Sequence, residues 1–316
     1  MMKFFNKKRF FYGIIIILLV LIYNGSYADI SVEELKKEYT NEHSKFIEID
    51  EMQVHYRDEG KGFPIVLIHG TGSSLHTWND WTKELTKDYR VIRMDLPAFG
   101  ITGPNKNADY SIKNYTNFIH QFLSKIKIDK FHLVGNSLGG NIAWNYATEY
   151  PQKIEKLILV DASGLPTNKP QPAIFIMAKT PLLNSLFLYI TPKVFIKKNM
   201  EEVYADNTKI TDKLITRYHK MSLRTGNRKA FIDRAKIDFK LGANSNLEKL
   251  KSIKIPTLLI WGAKDNWIPL NSVGKKMDSV LPNSKLVVLE NSGHVPMEEN
   301  PKESLAIFNE FLMKNE

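Results

Sequence analysis

The stretch Gly135-Asn136-Ser137-Leu138-Gly139-Gly140 constrains the fold more than any other in this chain. An apolar run, Phe131 to Val134, leads into it, and a helix-forming run, Asn141 to Tyr150, leads out. A serine between two glycines at a strand-to-helix junction sits in a sharp turn, with its hydroxyl exposed at the end of the strand. The glycines fit because strand and helix approach too closely there for a side chain. A nucleophilic serine also needs a base, a group that orients the base, and donors for the oxyanion. An ordinary glycine-rich turn needs none of these, so the rest of the chain decides between the two.

Around this stretch, short solid apolar runs alternate with helical ones. Pro64 to Ile68, Tyr89 to Met94, Phe131 to Val134, Ile154 to Val160, Pro256 to Trp261 and Lys285 to Leu289 have strand length. Trp78 to Leu85, Ser111 to Ile126, Leu270 to Val280 and Pro301 to Lys314 have helical spacing. Apolar strands alternating with helices predict an α/β fold with a mostly parallel sheet covered on both faces. Two further short strands are expected at Lys45 to Asp50 and Met52 to Arg57. The rhythm stops at about Gly164 and resumes at Pro256. Residues 165–249 are helix-forming, basic and punctuated by five prolines. They read as an insertion, a helical cap on one core formed by residues 29–164 and 250–316.

Residues 1–28 carry four Lys/Arg and no acid, with an apolar run from Phe10 to Tyr23 and small residues at Ser26 and Ala28. That is the pattern of a secretory signal peptide; the run is shorter than the ~20 residues that normally span a bilayer. A cleaved signal is favoured over an uncleaved anchor, and the expected location is outside the cytoplasm or tethered to a membrane. The chain has no cysteine, so disulfides and thiolate chemistry are excluded. Its net charge of +10 is uneven: residues 165–249 carry sixteen Lys/Arg against seven Asp/Glu, and with residues 1–28 also set aside the remainder is near −3. This is not the continuous basic surface of a nucleic-acid binder.

His294 lies in a loop just past the last expected strand, and Asp265 just past the strand before it. Loops at the carboxyl ends of parallel strands are where such a sheet displays its site. His294 is then the base for Ser137, and Asp265 the carboxylate that holds the imidazole. Asp265 could instead be an Asx turn or a helix cap. Asp161, after the strand that follows Ser137, is a rival acid, disfavoured because it is two strands from the histidine loop. The oxyanion donors are expected to be the backbone N–H of Leu138 and that of Thr71, with Gly72 as the near alternative. His69 shapes the loop before Thr71. No metal or organic cofactor is called for.

Five blocks, His69-Gly70-Thr71-Gly72, Asp95 to Gly100, Gly135 to Gly140, Gly262 to Asp265 and Gly293-His294, occur in an order that resembles the α/β-hydrolase superfamily. The likeness is to its cap-bearing branch of esterases, lipase-like enzymes and carbon–carbon bond hydrolases. It implies the α/β-hydrolase fold, a cap at 165–249, and a Ser137-Asp265-His294 triad acting on a small-molecule ester. Serine at 137 disfavours the dehalogenase and epoxide hydrolase reactions, which use aspartate there in this family. Meta-cleavage-product hydrolases resemble the chain at Gly135-Asn136-Ser137 but typically carry tryptophan after the histidine, where this chain has Val295. Carbon–carbon hydrolysis and perhydrolysis therefore stand as alternatives, and a non-catalytic binding protein stands behind them.

Within the cap, Ile174, Phe175, Met177, Leu182, Leu183, Leu186, Phe187, Leu188 and Tyr189 either line an acyl pocket or form cap core, and core is the commoner fate of apolar residues at helical spacing. The basic excess of the cap is either a solvated face or an attraction for an anionic membrane or substrate.

Overall fold

The structure is a computed structural model that describes residues 12–13, 27–167, 169–237 and 243–313. Most of the expected targeting segment, residues 1–28, thus lies outside the described residues. The described chain opens with helix α1 (Val32–Tyr39), capped by the Ser31 hydroxyl, and strands β1 (Ser44–Ile49), β2 (Met52–Glu59) and β3 (Pro64–Ile68). A 3-10 turn (Leu75–Trp78) leads into α2 (Asn79–Leu85), followed by β4 (Arg90–Met94), α3 (Ile112–Lys125), β5 (Phe131–Asn136), α4 (Leu138–Glu149) and β6 (Ile154–Val160). Five helices come next: α5 (Ala173–Lys179), α6 (Leu183–Phe187), α7 (Lys193–Val203), α8 (Asp212–Ser222) and α9 (Asn227–Ala235). The chain closes with α10 (Ala243–Ser252), β7 (Thr257–Gly262), α11 (Lys275–Val280), β8 (Ser284–Leu289), α12 (Pro296–Glu299) and α13 (Pro301–Met313).

The eight strands form one sheet in the order β1-β2-β4-β3-β5-β6-β7-β8. β1 and β2 pair antiparallel, β2 runs antiparallel to β4, and all other pairs are parallel. The period of two decides which layer each side chain enters. Val66 and Ile68 of β3 pack with Phe118 and Phe122 of α3 and with Ile142 and Trp144 of α4. Ile65 and Leu67, one residue out of phase, pack on the other face with Trp81 of α2 and Phe308 of α13. β5 and β7 are buried along their whole length, which is why their sequences show no polar alternation.

The loops after the parallel strands meet at one edge of the sheet. Asp95, after β4, ties two of them down: its carboxylate accepts from Leu75 N at 2.8 Å and Ile101 N at 2.9 Å and pairs with His55 Nδ1 at 2.8 Å. Burial alone would raise its pKa, but His55 beside it holds the carboxyl below the usual range.

Helices α5 to α9 occupy the stretch between β6 and β7, with a small core of their own around Ala178, Phe187, Ile232 and Ala235. Helix α10 packs instead against α4 and α11, so the sequence-derived boundary at 249/250 falls inside a helix of the main layer.

Candidate active site

Ser137 joins β5 to α4 with φ 54° and ψ −113°, a region costly for any residue with a side chain. The turn is packed from both sides. A Cβ on Gly135 would lie 2.2 Å from Gly139 O, and one on Gly139 would lie 2.2 Å from Ile68 O, so both positions exclude side chains. Ser137 N donates to Val160 O at 3.0 Å, and its carbonyl accepts from Asn141 N and Ser163 N, each at 3.0 Å. The backbone is thereby fixed, and the side chain faces a cleft.

His294 shares that cleft. Its Nδ1 lies 2.6 Å from Asp265 Oδ2, and both side chains are buried. Asp265 uses its other oxygen for an Asx turn, accepting from Trp267 N at 2.7 Å and Ile268 N at 2.9 Å. One carboxylate therefore does both things that its sequence position allowed. The histidine loop is held by its backbone: His294 N donates to Val203 O of α7 at 2.7 Å, and His294 O accepts from Asn136 Nδ2 at 3.0 Å. Glu299 clamps the same loop to the residues after α7, accepting from Gly293 N at 2.7 Å, Ala205 N at 2.8 Å and Asp206 N at 2.7 Å. No hydrogen bond joins the Ser137 hydroxyl to His294 in this conformation; such bonds are commonly long before substrate binds.

The loop after β3 lies against the serine. A Cβ on Gly70 would be 3.1 Å from Ser137 Cβ. Thr71 and Gly72 follow on the cleft wall, and Leu138 N opens helix α4. Neither Thr71 N nor Leu138 N bonds another group among the described residues. His69 is fully buried and locked, with Nδ1 on Gly70 O at 2.7 Å and Nε2 accepting from Leu96 N at 2.9 Å. Burial holds its pKa down, so it stays neutral.

Asp161 is nearer than strand counting predicts. β6 and β7 are sheet neighbours, and ligand-type atoms of Asp161, Asp265 and His294 lie within 4.8 Å of one another. Burial, and then the charge of Asp265, push the Asp161 carboxyl well above the usual range. His294 pairs with Asp265 all the same. The 2.6 Å separation of those two atoms is that of a charge-assisted hydrogen bond.

The cleft, about 1040 Å³ and partly open to solvent, is roofed by α5, α6, α7 and α9. Ile174, Phe175 and Phe187 line it, as the pocket reading expected. Leu182, Leu183, Leu186 and Tyr189 neither line it nor enter a core, being 79%, 41%, 50% and 67% exposed. Two wall residues carry no sequence signal. Trp267 packs against His294 with ring centroids 5.7 Å apart, supplying from the Asp265 loop a tryptophan that Val295 does not. Arg228 is buried; its Nη2 donates to Asp29 Oδ1 at 2.5 Å, while its Nη1 has no partner among the described residues. Nothing in the sequence distinguishes it from the other fifteen cations of residues 165–249.

The family model for the alpha/beta hydrolase fold matches residues 64–190 and 191–301. The chain belongs to the α/β-hydrolase fold family. A curated relative, the 2-hydroxy-6-oxo-6-phenylhexa-2,4-dienoate hydrolase of Burkholderia cepacia, is 31% identical over 269 residues, covering 79% of this chain and 90% of that one. Among solved structures, the meta-cleavage product hydrolase of Pseudomonas fluorescens IP01 has TM-score 0.72 and 25% identity, covering 85% of this chain and 97% of that one. A membrane phospholipase A described as a bacterial virulence factor has TM-score 0.70 and 25% identity, covering 96% and 98%. This α/β hydrolase is thus a hydrolase by family. Of these three relatives, one is named a dienoate hydrolase, one a meta-cleavage product hydrolase and one a phospholipase, which backs the alternative reading of the sequence better than its leading one.

Proposed function

We propose that this α/β hydrolase cleaves a bond beside a carbonyl carbon through an acyl-enzyme on Ser137. The observation that carries the reading is the 2.6 Å His294–Asp265 pair facing the same cleft as the strained Ser137 turn. Ser137 Oγ adds to the carbonyl carbon while His294 Nε2 takes its proton. Asp265 holds the tautomer with Nδ1–H and stabilises the imidazolium. The amides of Thr71 (or Gly72) and Leu138 receive the oxyanion. His294 returns the proton to the leaving group, and water then repeats the cycle to release the acid.

Two leaving groups fit. In the first, the bond broken joins a ketone carbon to a carbon that departs as a stabilised carbanion and is protonated by His294. The named relatives favour this reading, and Arg228 puts a guanidinium on the cleft wall, the kind of group that a dienoate carboxylate would need. In the second, the leaving group is the alcohol of an ester with an apolar acyl part. The cleft wall favours this, with Ile174, Phe175, Phe187, Ile196 and Met200 on it, as does the likeness to a phospholipase over nearly the whole chain.

Fluorophosphonate labelling tests the shared chemistry. Ser137→Ala should abolish labelling and all turnover while thermal unfolding stays unchanged; labelling retained in that variant overturns the assignment. Comparing kcat/KM on 2-hydroxy-6-oxo-6-phenylhexa-2,4-dienoate with that on p-nitrophenyl esters of graded chain length then decides the leaving group.

A further inference from the structure

Seven of the ten large apolar side chains exposed among the described residues fall between Ile176 and Phe195, five on α5, α6 and α7 and two, Leu182 and Tyr189, beside α6. Soluble monomers rarely gather exposed apolar groups in this way. Each of the three helices has two apolar faces. On α5, Phe175 faces the cleft and Ile176 is 50% exposed. At α6, Phe187 is buried in the cleft roof while Leu182, just before the helix, and Leu183 point to water. On α7, Ile196 and Met200 line the cleft, while Val194 and Phe195 are 52% and 36% exposed. Leu182 also sits at φ 69°, a backbone state costly for leucine, while 79% exposed.

The charge on this surface is mostly positive. Residues 165–200 contain five lysines and no acid, and the two acids of α7, Glu201 and Glu202, stand at its far end, where Glu201 pairs with Lys197. Lys193 and Lys198 are exposed and make no ion pair among the described residues. Exposed apolar groups flanked by lysines are what an interfacial membrane segment presents: the apolar part enters the acyl boundary and the ammonium groups meet anionic headgroups. Tyr27 adds an independent pointer. Tyr27 N donates to Tyr189 O at 3.2 Å, and the Tyr27 ring packs edge-on against His219 at 4.6 Å. Tyr27, which follows the basic residues and the apolar run Phe10 to Tyr23 in the sequence, thus lies beside Tyr189, itself 67% exposed.

We propose that the outer faces of α5, α6 and α7 form a docking surface for an anionic lipid bilayer. Seated this way, the bilayer lies against the roof of the cleft, and an apolar substrate enters between α5–α7 and the core without crossing water. The proposal concerns a surface and does not rest on which bond the site breaks.

The chain has no cysteine, so one introduced thiol reports one position. In the full chain, Leu183→Cys carries an environment-sensitive fluorophore, and Lys276→Cys on α11 serves as the control. Both are mixed with vesicles of phosphatidylglycerol and phosphatidylcholine in equal parts, with spin-labelled acyl chains as quencher. The label at 183 should shift to the blue and be quenched several-fold more than the label at 276. Lys193→Glu with Lys198→Glu, or vesicles of phosphatidylcholine alone, should reduce that quenching even where the N-terminal segment keeps the protein on the vesicle. Equal, weak quenching at both positions overturns the proposal. So does a label at 183 that is already shielded without vesicles in a protein that sediments as a dimer, since the face would then be covered by a second copy.

Discussion

The main layer and the α5–α9 insertion use apolar residues differently, and the difference shows where specificity is stored. In the main layer, each apolar side chain has one destination, fixed by the alternation of a strand or the stripe of a long helix. Val66 and Leu67 enter opposite cores because they are neighbours on a pleated strand. In the insertion, the helices α5 and α6 have 7 and 5 residues, too few turns to establish a stripe. Adjacent apolar residues there reach a cleft on one side and solvent on the other. On the proposed function, the residues that would move the proton are anchored in the sheet, while those that would select substrate belong to a thin layer that is apolar on both faces.

The comparison breaks first if the chemistry does not sit in the main layer. Asp265→Asn should lower kcat about 10⁴-fold on every substrate, because the imidazole loses the partner that holds its tautomer. Steady-state kinetics on both substrate classes check this, and a loss confined to one class would contradict it. The next largest effect lies at the seam. Glu299 is buried and accepts three backbone N–H groups that join the histidine loop to the chain after α7. Glu299→Gln should destabilise the protein by about 3 kcal/mol, the scale of losing charge-assisted bonds in a buried site. Denaturant melts measure it; an unchanged midpoint would mean that the two regions are not mechanically joined there. A smaller, selective effect belongs to the insertion. Arg228→Gln should lower kcat/KM on a dienoate about 10- to 100-fold, while changing neutral esters little. Equal losses on both would assign Arg228 to packing.

These regions were not equally legible in the sequence. The strained turn at Ser137 needs glycine at 135 and 139 because backbone occupies the space, and that need is written directly as residue type. Asp265 and His294 stand out because they follow apolar strands by a few residues. Asp161 is two strands from His294 in the sheet as in the chain, but strand counting does not show that the loops after β6, β7 and β8 converge closely enough to bring its carboxylate near the His294–Asp265 pair. Leu182, Leu183, Leu186 and Tyr189 defeated both sequence readings, pocket wall and buried core, because nothing in a short apolar helix says which side faces water. Arg228 and Trp267 were invisible for a related reason: each earns its place only through a fold that brings distant segments to one wall.

The smallest expected effect sharpens the account of the main layer. Asp161 Oδ1 accepts from Gly262 N at 2.9 Å, and its other oxygen has no donor among the described residues. Burial and the Asp265 charge raise its pKa well above the usual range, so in the folded protein it holds a proton that the unfolded chain releases above about pH 4. The native state thus binds the extra proton, and its stabilising contribution is complete below the unfolded pKa and is lost as pH rises through the folded one. Asn at 161 keeps the acceptor for Gly262 and donates toward Asp265 with no proton to lose. Asp161→Asn should therefore retain activity within about tenfold, since it leaves the His294–Asp265 pair in place. Its melting temperature relative to the wild type should also rise as pH increases above about 4. The buried His76 and His132, held down at about 3 and about 4 by burial, make both proteins less stable as pH falls below about 6.5, so they cancel in that difference. A difference that stays flat across the range would mean that Asp161 is ionised beside Asp265, and the two carboxylates would then have to share the imidazole.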